Sequence, residues 1–176
     1  MTASYRGVPL LHHAILRLGE VCDEVIVVLG PATPPPSLPG GSNARPVRDP
    51  REGEGPLAGL LTGLREATTG FAIVAAGDMP ELSPAVLGEM LRVAGEADID
   101  GVALQEGGGF RPLPVVLRAS GALTVGLDLF DAGERSIRGL LRALRIAVVD
   151  EPTWTALDPD RRTLFDVDEQ DDLSRG

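Results

Sequence analysis

A lone aspartate closes the apolar run Phe71-Ala72-Ile73-Val74-Ala75-Ala76-Gly77-Asp78-Met79-Pro80. The run reads as a buried strand, and a carboxylate just past its carboxyl end lies where open α/β sheets meet their ligands. The Met-Pro pair turns the chain ahead of a helix and so aims Asp78. One carboxylate in such a place suits a hard divalent cation that keeps waters and meets substrate phosphates. The competing use is an aspartate that merely caps a strand-to-helix turn. A second signal is Glu54-Gly55-Pro56-Leu57-Ala58-Gly59. Its glycines let the backbone approach a ligand closely, and the helix beginning at Pro56 favours an anion at its N-terminus. Glycines used only for tight packing are the alternative. No Gly-Lys-Ser/Thr follows, so this is not a Walker loop.

Several elements must position these residues. Leu10 to Leu18 has apolar residues at helical spacing, and Glu24 to Leu29 is a β-branched run of the parallel-strand type. Gly30 to Gly41 is proline-rich and reads as a surface loop. Arg45 to Asp49 is a short strand, and a helix follows from Pro56 to about Ala67. Ser83-Pro84 opens another helix that runs to about Ala97. Gly101 to Gln105 and Leu113 to Leu117 read as strands joined across Gly107-Gly108-Gly109. Ala119 to Asp131 and Ser136 to Ala143 read as helices, Ile146 to Val149 as a strand, and Asp168 as the start of a short helix. This alternation predicts a three-layer α/β fold whose mostly parallel sheet includes both Val25 to Leu29 and Phe71 to Ala76.

Composition narrows the chemistry. A net charge of −10 argues against nucleic acid and against an anionic membrane surface. All 16 basic residues are arginines, so a lysine Schiff base and a phosphate-binding lysine are both excluded. The one cysteine, Cys22, forms no intramolecular disulfide and no Cys-rich metal site. No apolar run has the length of a membrane span and no signal peptide is visible, which places the protein in the cytoplasm as an expectation. His12 and His13 are neighbours on a helix and point in different directions, which reads as surface or core edge rather than catalysis. Cys22 reads as a small packed residue.

Gly77-Asp78-Met79-Pro80 taken with Gly55-Pro56-Leu57-Ala58-Gly59 resembles the molybdenum cofactor guanylyltransferase family, the MobA-like nucleotidyltransferases. The likeness continues in the family's order through Gly109-Phe110-Arg111-Pro112-Leu113-Pro114, through Gly133-Glu134-Arg135-Ser136 with Leu140-Leu141, and through Phe165-Asp166-Val167-Asp168-Glu169-Gln170-Asp171-Asp172-Leu173. Tyr5 to Leu18, with Gly7-Val8-Pro9-Leu10-Leu11, resembles the segment after the family's first loop. The family opens with a strand and a glycine-rich loop bearing an arginine and a lysine. This sequence is similar from the point where that loop ends, which implies one Rossmann-like α/β/α domain over residues 1–176 without its first, central strand.

The resemblance implies roles. Asp78 would be the catalytic residue, holding Mg²⁺ that bridges the nucleotide phosphates, with Asp168 completing the metal shell or capping the last helix. Asp49, Gly55, Pro56, Leu57 and Gly59 would line the nucleotide side; a turn before Pro50 is the other use of Asp49. Arg111, Pro112, Gly133, Arg135 and Ser136 would face the pterin phosphate, the arginines being otherwise solvated surface. The implied substrates are GTP and molybdopterin, with molybdoenzymes or other cofactor-biosynthesis proteins as possible partners. The pterin phosphate attacks the α-phosphorus of GTP and pyrophosphate leaves, so no protein nucleophile is needed. Without the loop and its lysine the pyrophosphate loses its main clamp. Three readings stay open: guanylyl transfer, transfer of cytidylyl or another nucleotide on the same fold, and a catalytically impaired module that binds the cofactor or a partner.

Overall fold

The protein is described by a computed structural model over residues 4–51, 53–96 and 98–167; the expected helix from Asp168 lies outside these. A small antiparallel hairpin, β1 (Ser4–Tyr5) and β2 (Val8–Pro9), turns on Arg6 and Gly7, both with positive φ. It leads into α1 (Leu10–Leu18), which buries Leu10, Ala14 and Ile15 along one stripe. Strand β3 (Val25–Leu29) pairs in parallel with β4 (Ala44–Arg48) across the proline-rich loop. Helix α2 (Pro56–Glu66) starts on its proline.

The rest of the chain builds a second sheet. Strand β5 (Phe71–Val74) leads to α3 (Pro84–Glu96), β6 (Gly101–Glu106) and β7 (Gly109–Arg118), and then to α4 (Ala119–Asp131) and α5 (Ile137–Ala143). Strand β8 (Ile146–Val149), α6 (Glu151–Leu157) and a 3₁₀ turn (Arg162–Leu164) follow. The strand order is β5-β7-β6-β8. Strand β7 runs antiparallel to β5 and β6, and β8 runs parallel to β6. The β6–β7 hairpin turns on Gly107 and Gly108, both at positive φ, as the glycine triplet leads one to expect.

Alternation along the strands divides the core. Val102, Leu104, Val116 and Val149 face Leu87 and Met90 of α3 and Trp154 of α6. Ala103, Val115 and Leu117 face Leu57 and Leu61 of α2, with α4 and α5 beside it. A third cluster joins Ile15 of α1 to Val25, Val27 and Leu29 of β3. The result is helices on both faces of strands, a three-layer α/β arrangement.

The described strands fall into separate sheets. Val25–Leu29 pairs with β4 and Phe71–Val74 with β7, so no ladder joins β3 to β5 among the described residues. Between them lies a cavity of about 1150 Å³. Residues of α1 wall one side and Gly59, Leu60 and Gly63 of α2 the other. Helix α2 spans the division: Gly59 and Gly63 lie against Val28 of β3, while its leucines pack on β7.

Candidate active site

Strands β4 and β5 both end beside the same mouth of the cavity. Asp49 follows β4, and Asp78 follows β5 after the short extension Ala75-Ala76-Gly77. Asp49, Arg51, Gly53, Glu54 and Gly55 line the cavity together with Ala75, Ala76 and Gly77. The Gly53–Gly55 loop and the end of the Phe71 run thus border one cavity.

Asp78 is half-buried, and its Oδ1 is buried with no hydrogen-bond partner among the described residues. An acceptor in that state is destabilising unless something else satisfies it. The main chain around it is held: Met79 N–H donates to the Ala76 carbonyl, and Val167 N–H donates to the Asp78 carbonyl at 3.1 Å. The turn that carries the carboxylate is thus held, while its buried oxygen stays unspent. The second contact brings the C-terminal segment alongside Asp78. Asp168, the next residue, lies outside the described residues.

Asp49 is buried, and its role goes beyond a turn. Its Oδ1 accepts from the Arg51 backbone N–H at 3.2 Å, from Arg51 Nε at 3.2 Å and from Thr62 Oγ1 at 3.1 Å. Arg51 also donates to the Ala58 carbonyl and to Thr62 Oγ1, and its guanidinium lies over the Phe130 ring. This network ties the end of β4 to α2. Thr62 and Arg51 escape the sequence reading because only the folded helix brings position 62 back to position 49.

Gly55 has φ of 80°, and a Cβ there would meet the Arg135 carbonyl at 3.0 Å, so close approach as well as backbone conformation requires glycine. Leu57 N–H donates to that same carbonyl and Ala58 N–H to the Gly55 carbonyl. Pro56 has no N–H to give. The helix start therefore has two of its donors engaged inside the protein, which corrects the picture of a free anion cradle. The Leu57 side chain is fully buried in the core rather than on a ligand-facing wall.

Arg135 donates to Glu54 Oε2 at 2.8 Å and to the Phe130 carbonyl, with its guanidinium over the Phe130 ring. Gly133 takes φ of 97°, and Ser136 caps α5 by accepting from Gly139 N–H. Glu134 accepts from the N–H groups of Ser136 and Arg135 and from the Ser136 hydroxyl; these bonds, the Ser136 N–H first, pull its carboxyl below the usual range. This turn supports the Gly55 loop.

Arg111 is elsewhere. It reaches Glu106 at 3.4 Å, Asp166 at 4.0 Å and the Leu164 carbonyl. Among the described residues it shares no hydrogen-bond or ion-pair partner with Arg135, the other arginine that the sequence assigned to the same substrate phosphate. Pro112 follows Arg111 within β7. Near Arg111 is a recess of about 420 Å³ lined by Tyr5, Arg6, Glu81, Glu106, Arg161 and Arg162. Glu81 organises it, pairing with Arg6 at 3.1 Å and Arg162 at 3.5 Å and accepting from the Tyr5 hydroxyl. Burial first, and then the bond to Glu81, raise the Tyr5 phenol above its ordinary pKa. His13 bonds the Tyr5 carbonyl and His12 the Ser37 carbonyl, structural uses of both rings. Cys22 is half-buried, and burial raises its thiol.

The MobA-like NTP transferase domain family matches residues 1–149. The chain belongs to this family. A protein of Chloroflexus aggregans named probable molybdenum cofactor guanylyltransferase is 36% identical over 170 residues, 96% of this chain and 79% of that one. Among solved structures, molybdopterin-guanine dinucleotide biosynthesis protein A from Archaeoglobus fulgidus superposes with a TM-score of 0.77 at 20% identity, covering 99% of this chain and 87% of its own. The 2-C-methyl-D-erythritol 4-phosphate cytidylyltransferase of Thermus thermophilus gives 0.74 at 16% identity, covering 99% and 90%. Rv0371C of Mycobacterium tuberculosis, solved in complex with manganese, gives 0.60 at 18% identity, covering 99% and 88%. At these identities the structural likenesses establish the nucleotidyltransferase fold. The MobA-like domain has no group of three or more His, Cys, Asp or Glu residues poised for a metal among the described residues. The buried Oδ1 of Asp78 is a hard oxygen donor of the kind that divalent cations take. No helix among the described residues is long and apolar enough to cross a membrane.

Proposed function

We propose that this MobA-like domain transfers GMP from GTP to the phosphate of molybdopterin, with Mg²⁺ held at Asp78, in cytoplasmic molybdenum cofactor biosynthesis. The observation that carries the reading is Asp78, whose buried Oδ1 has no hydrogen-bond partner among the described residues, directly after Gly77 of the cavity that Asp49 and Gly53–Gly55 also line. Bound there, a divalent ion supplies positive charge to the phosphates and a template for in-line displacement. Asp78 holds its oxygen ready without reorganisation. Gly55 and Glu54, propped by Arg135, form the opposite wall for the nucleotide. Arg6, Arg161 and Arg162 of the second recess, with Arg111 beside it, would serve an acceptor phosphate only by exchanging their Glu81, Glu106, Glu151, Asp160 and Asp166 partners for it. Product then passes to molybdoenzymes or to other proteins of cofactor biosynthesis.

The all-arginine set of basic residues favours a second reading, in which the domain binds these ligands and turns them over poorly. Calorimetry with GTP, CTP and ATP, each with and without Mg²⁺, tests the first. Preferential, Mg²⁺-dependent GTP binding that is lost in Asp78→Ala supports it; equal affinity of the variant, or a preference for CTP, overturns the assignment. A guanylyl-transfer assay on the same protein separates transfer from binding alone.

A further inference from the structure

The buried Oδ1 of Asp78 has no partner among the described residues, so the direction of the carboxylate comes from the turn beneath it. Two apolar side chains of that turn, Met79 and Leu82, sink into the core beside Leu87 and Met90. Glu81 is the turn's other charged residue, and both of its oxygens are taken. Oε1 accepts from the Tyr5 hydroxyl at 3.0 Å and meets Arg6 Nη1 at 3.1 Å, while Oε2 lies 3.5 Å from Arg162 Nη1. The Glu81 side chain is only 11% exposed, a place where a charge persists when it is paired. Its donors are themselves held. Tyr5 is buried, with its ring edge-on to His13 and against Phe165. The Arg6 guanidinium lies over that ring. Next to Arg162, Thr163 donates to the Asp158 carboxylate through both its N–H and its hydroxyl, and its Oγ1 accepts from Ser83 N–H.

We infer that Glu81 is a positioning residue for the metal site: by tying the turn to the β1–β2 hairpin and to the 3₁₀ turn, it directs the Asp78 carboxylate toward a divalent cation without touching the ion itself. The role rests on Asp78 being the ligand of Mg²⁺. A side chain gives a cation its full affinity only where its own orientation is fixed, and partners behind the ligand commonly change affinity by about 10–100-fold. Here no bond through Oδ1 does the fixing, so the main chain must. The Val167 N–H holds the Asp78 carbonyl at the start of the turn, and Thr163 holds the Ser83 N–H at its end. Glu81 holds the bend between them. The charge of Glu81 matters as well as its shape. Two guanidinium groups from separate elements converge on one carboxylate, and bonds of that kind are roughly twice as strong as neutral ones. A glutamine would keep a bond to Tyr5 and release both arginines. Tyr5, Arg6 and Arg162 thereby act on Asp78 through Glu81.

The test is calorimetry of GTP with and without Mg²⁺ on the whole chain, read as the ratio of the two affinities. In Glu81→Gln that ratio should fall about tenfold, while affinity for metal-free GTP and the far-UV circular dichroism stay native. Tyr5→Phe removes only the hydroxyl; it should lower the ratio by a smaller factor, and it carries the test if Glu81→Gln does not fold. Added to Asp78→Ala, Glu81→Gln should cause no further fall, because its effect passes through that carboxylate. A native ratio in folded Glu81→Gln, or in Tyr5→Phe where the first variant does not fold, would overturn the inference. So would a further fall in the Asp78→Ala background, or an equal loss of metal-free binding, which marks a brace of the fold alone. Failure of the metal assignment reads differently: Asp78→Ala itself then keeps the wild-type ratio, and the role of Glu81 goes with it.

Discussion

Asp78→Ala should make the free protein more stable and the liganded protein less so. The side chain holds a buried Oδ1 without a partner, and leaving such a group unsatisfied costs about 1–3 kcal/mol. The hydrogen bonds that fix this turn run through the Asp78 and Ala76 carbonyls, and alanine retains them. Removing the carboxylate should therefore stabilise the free chain by about 1 kcal/mol after some loss of packing. For a domain of this size that is a rise of about 2–4 °C in melting temperature. With Mg²⁺–GTP at about one hundred times its dissociation constant, the wild type gains about 2.7 kcal/mol by linkage while a non-binding variant gains nothing. The order of the two melting curves should thus invert when ligand is added. Differential scanning fluorimetry on both proteins, with and without Mg²⁺–GTP, reads it directly. A variant that melts below the wild type in plain buffer would show that Asp78 is structurally satisfied. Equal ligand shifts in both proteins would remove it from the metal site.

Three further outcomes follow from particular contacts. Thr62→Val deletes a buried hydroxyl that donates to Asp49 and accepts from Arg51; it should destabilise by about 1–3 kcal/mol, seen in urea unfolding, and should weaken GTP binding by loosening Asp49. Gly101→Ala places a Cβ 2.6 Å from the Val116 carbonyl; backbone cannot swing aside as a side-chain tip can, so a loss of about 1–3 kcal/mol is expected from the same measurement. Glu134 has its pKa lowered by the Ser136 and Arg135 contacts, so its contribution is full above the unfolded value near 4.3 and is lost as pH falls through the folded value. The gap in melting temperature between wild type and Glu134→Gln should stay constant from pH 7 to about pH 5 and close below that.

The sequence shows an element where its signal is local. Pro56 and Pro84 start their helices where proline is suited to start them, and Ala119–Asp131 has the expected limits. Helix α6 was not anticipated: Glu151–Leu157 is too short to display a period, and it depends on the buried Trp154 and the Asp150 cap. The hairpin β1–β2 has two residues per strand, below the reach of any alternation signal. The Gly-Asp-Met-Pro turn was legible because its carboxylate ends an apolar run. The Asp49–Arg51–Thr62 network was not, because it closes across a helical crossover. Arg111 and Arg135 look equivalent in the sequence; they diverge because Glu106 and Asp166 hold one while Glu54 and Phe130 hold the other.

The divided sheet also sets how the molecule comes apart. With no ladder between β3 and β5 among the described residues, the α1–β3–β4 portion is tied to the remainder by side-chain packing and side-chain hydrogen bonds, chiefly to α2. Such a portion can open as its own cooperative unit, at lower free energy than the β5-β7-β6-β8 core. Trp154, the one tryptophan, is fully buried against that core and donates to the Gln105 carbonyl at 2.8 Å. Its fluorescence follows the larger unit only. Denaturant titrations followed by tryptophan emission and by circular dichroism should then trace separate curves, the dichroism falling first.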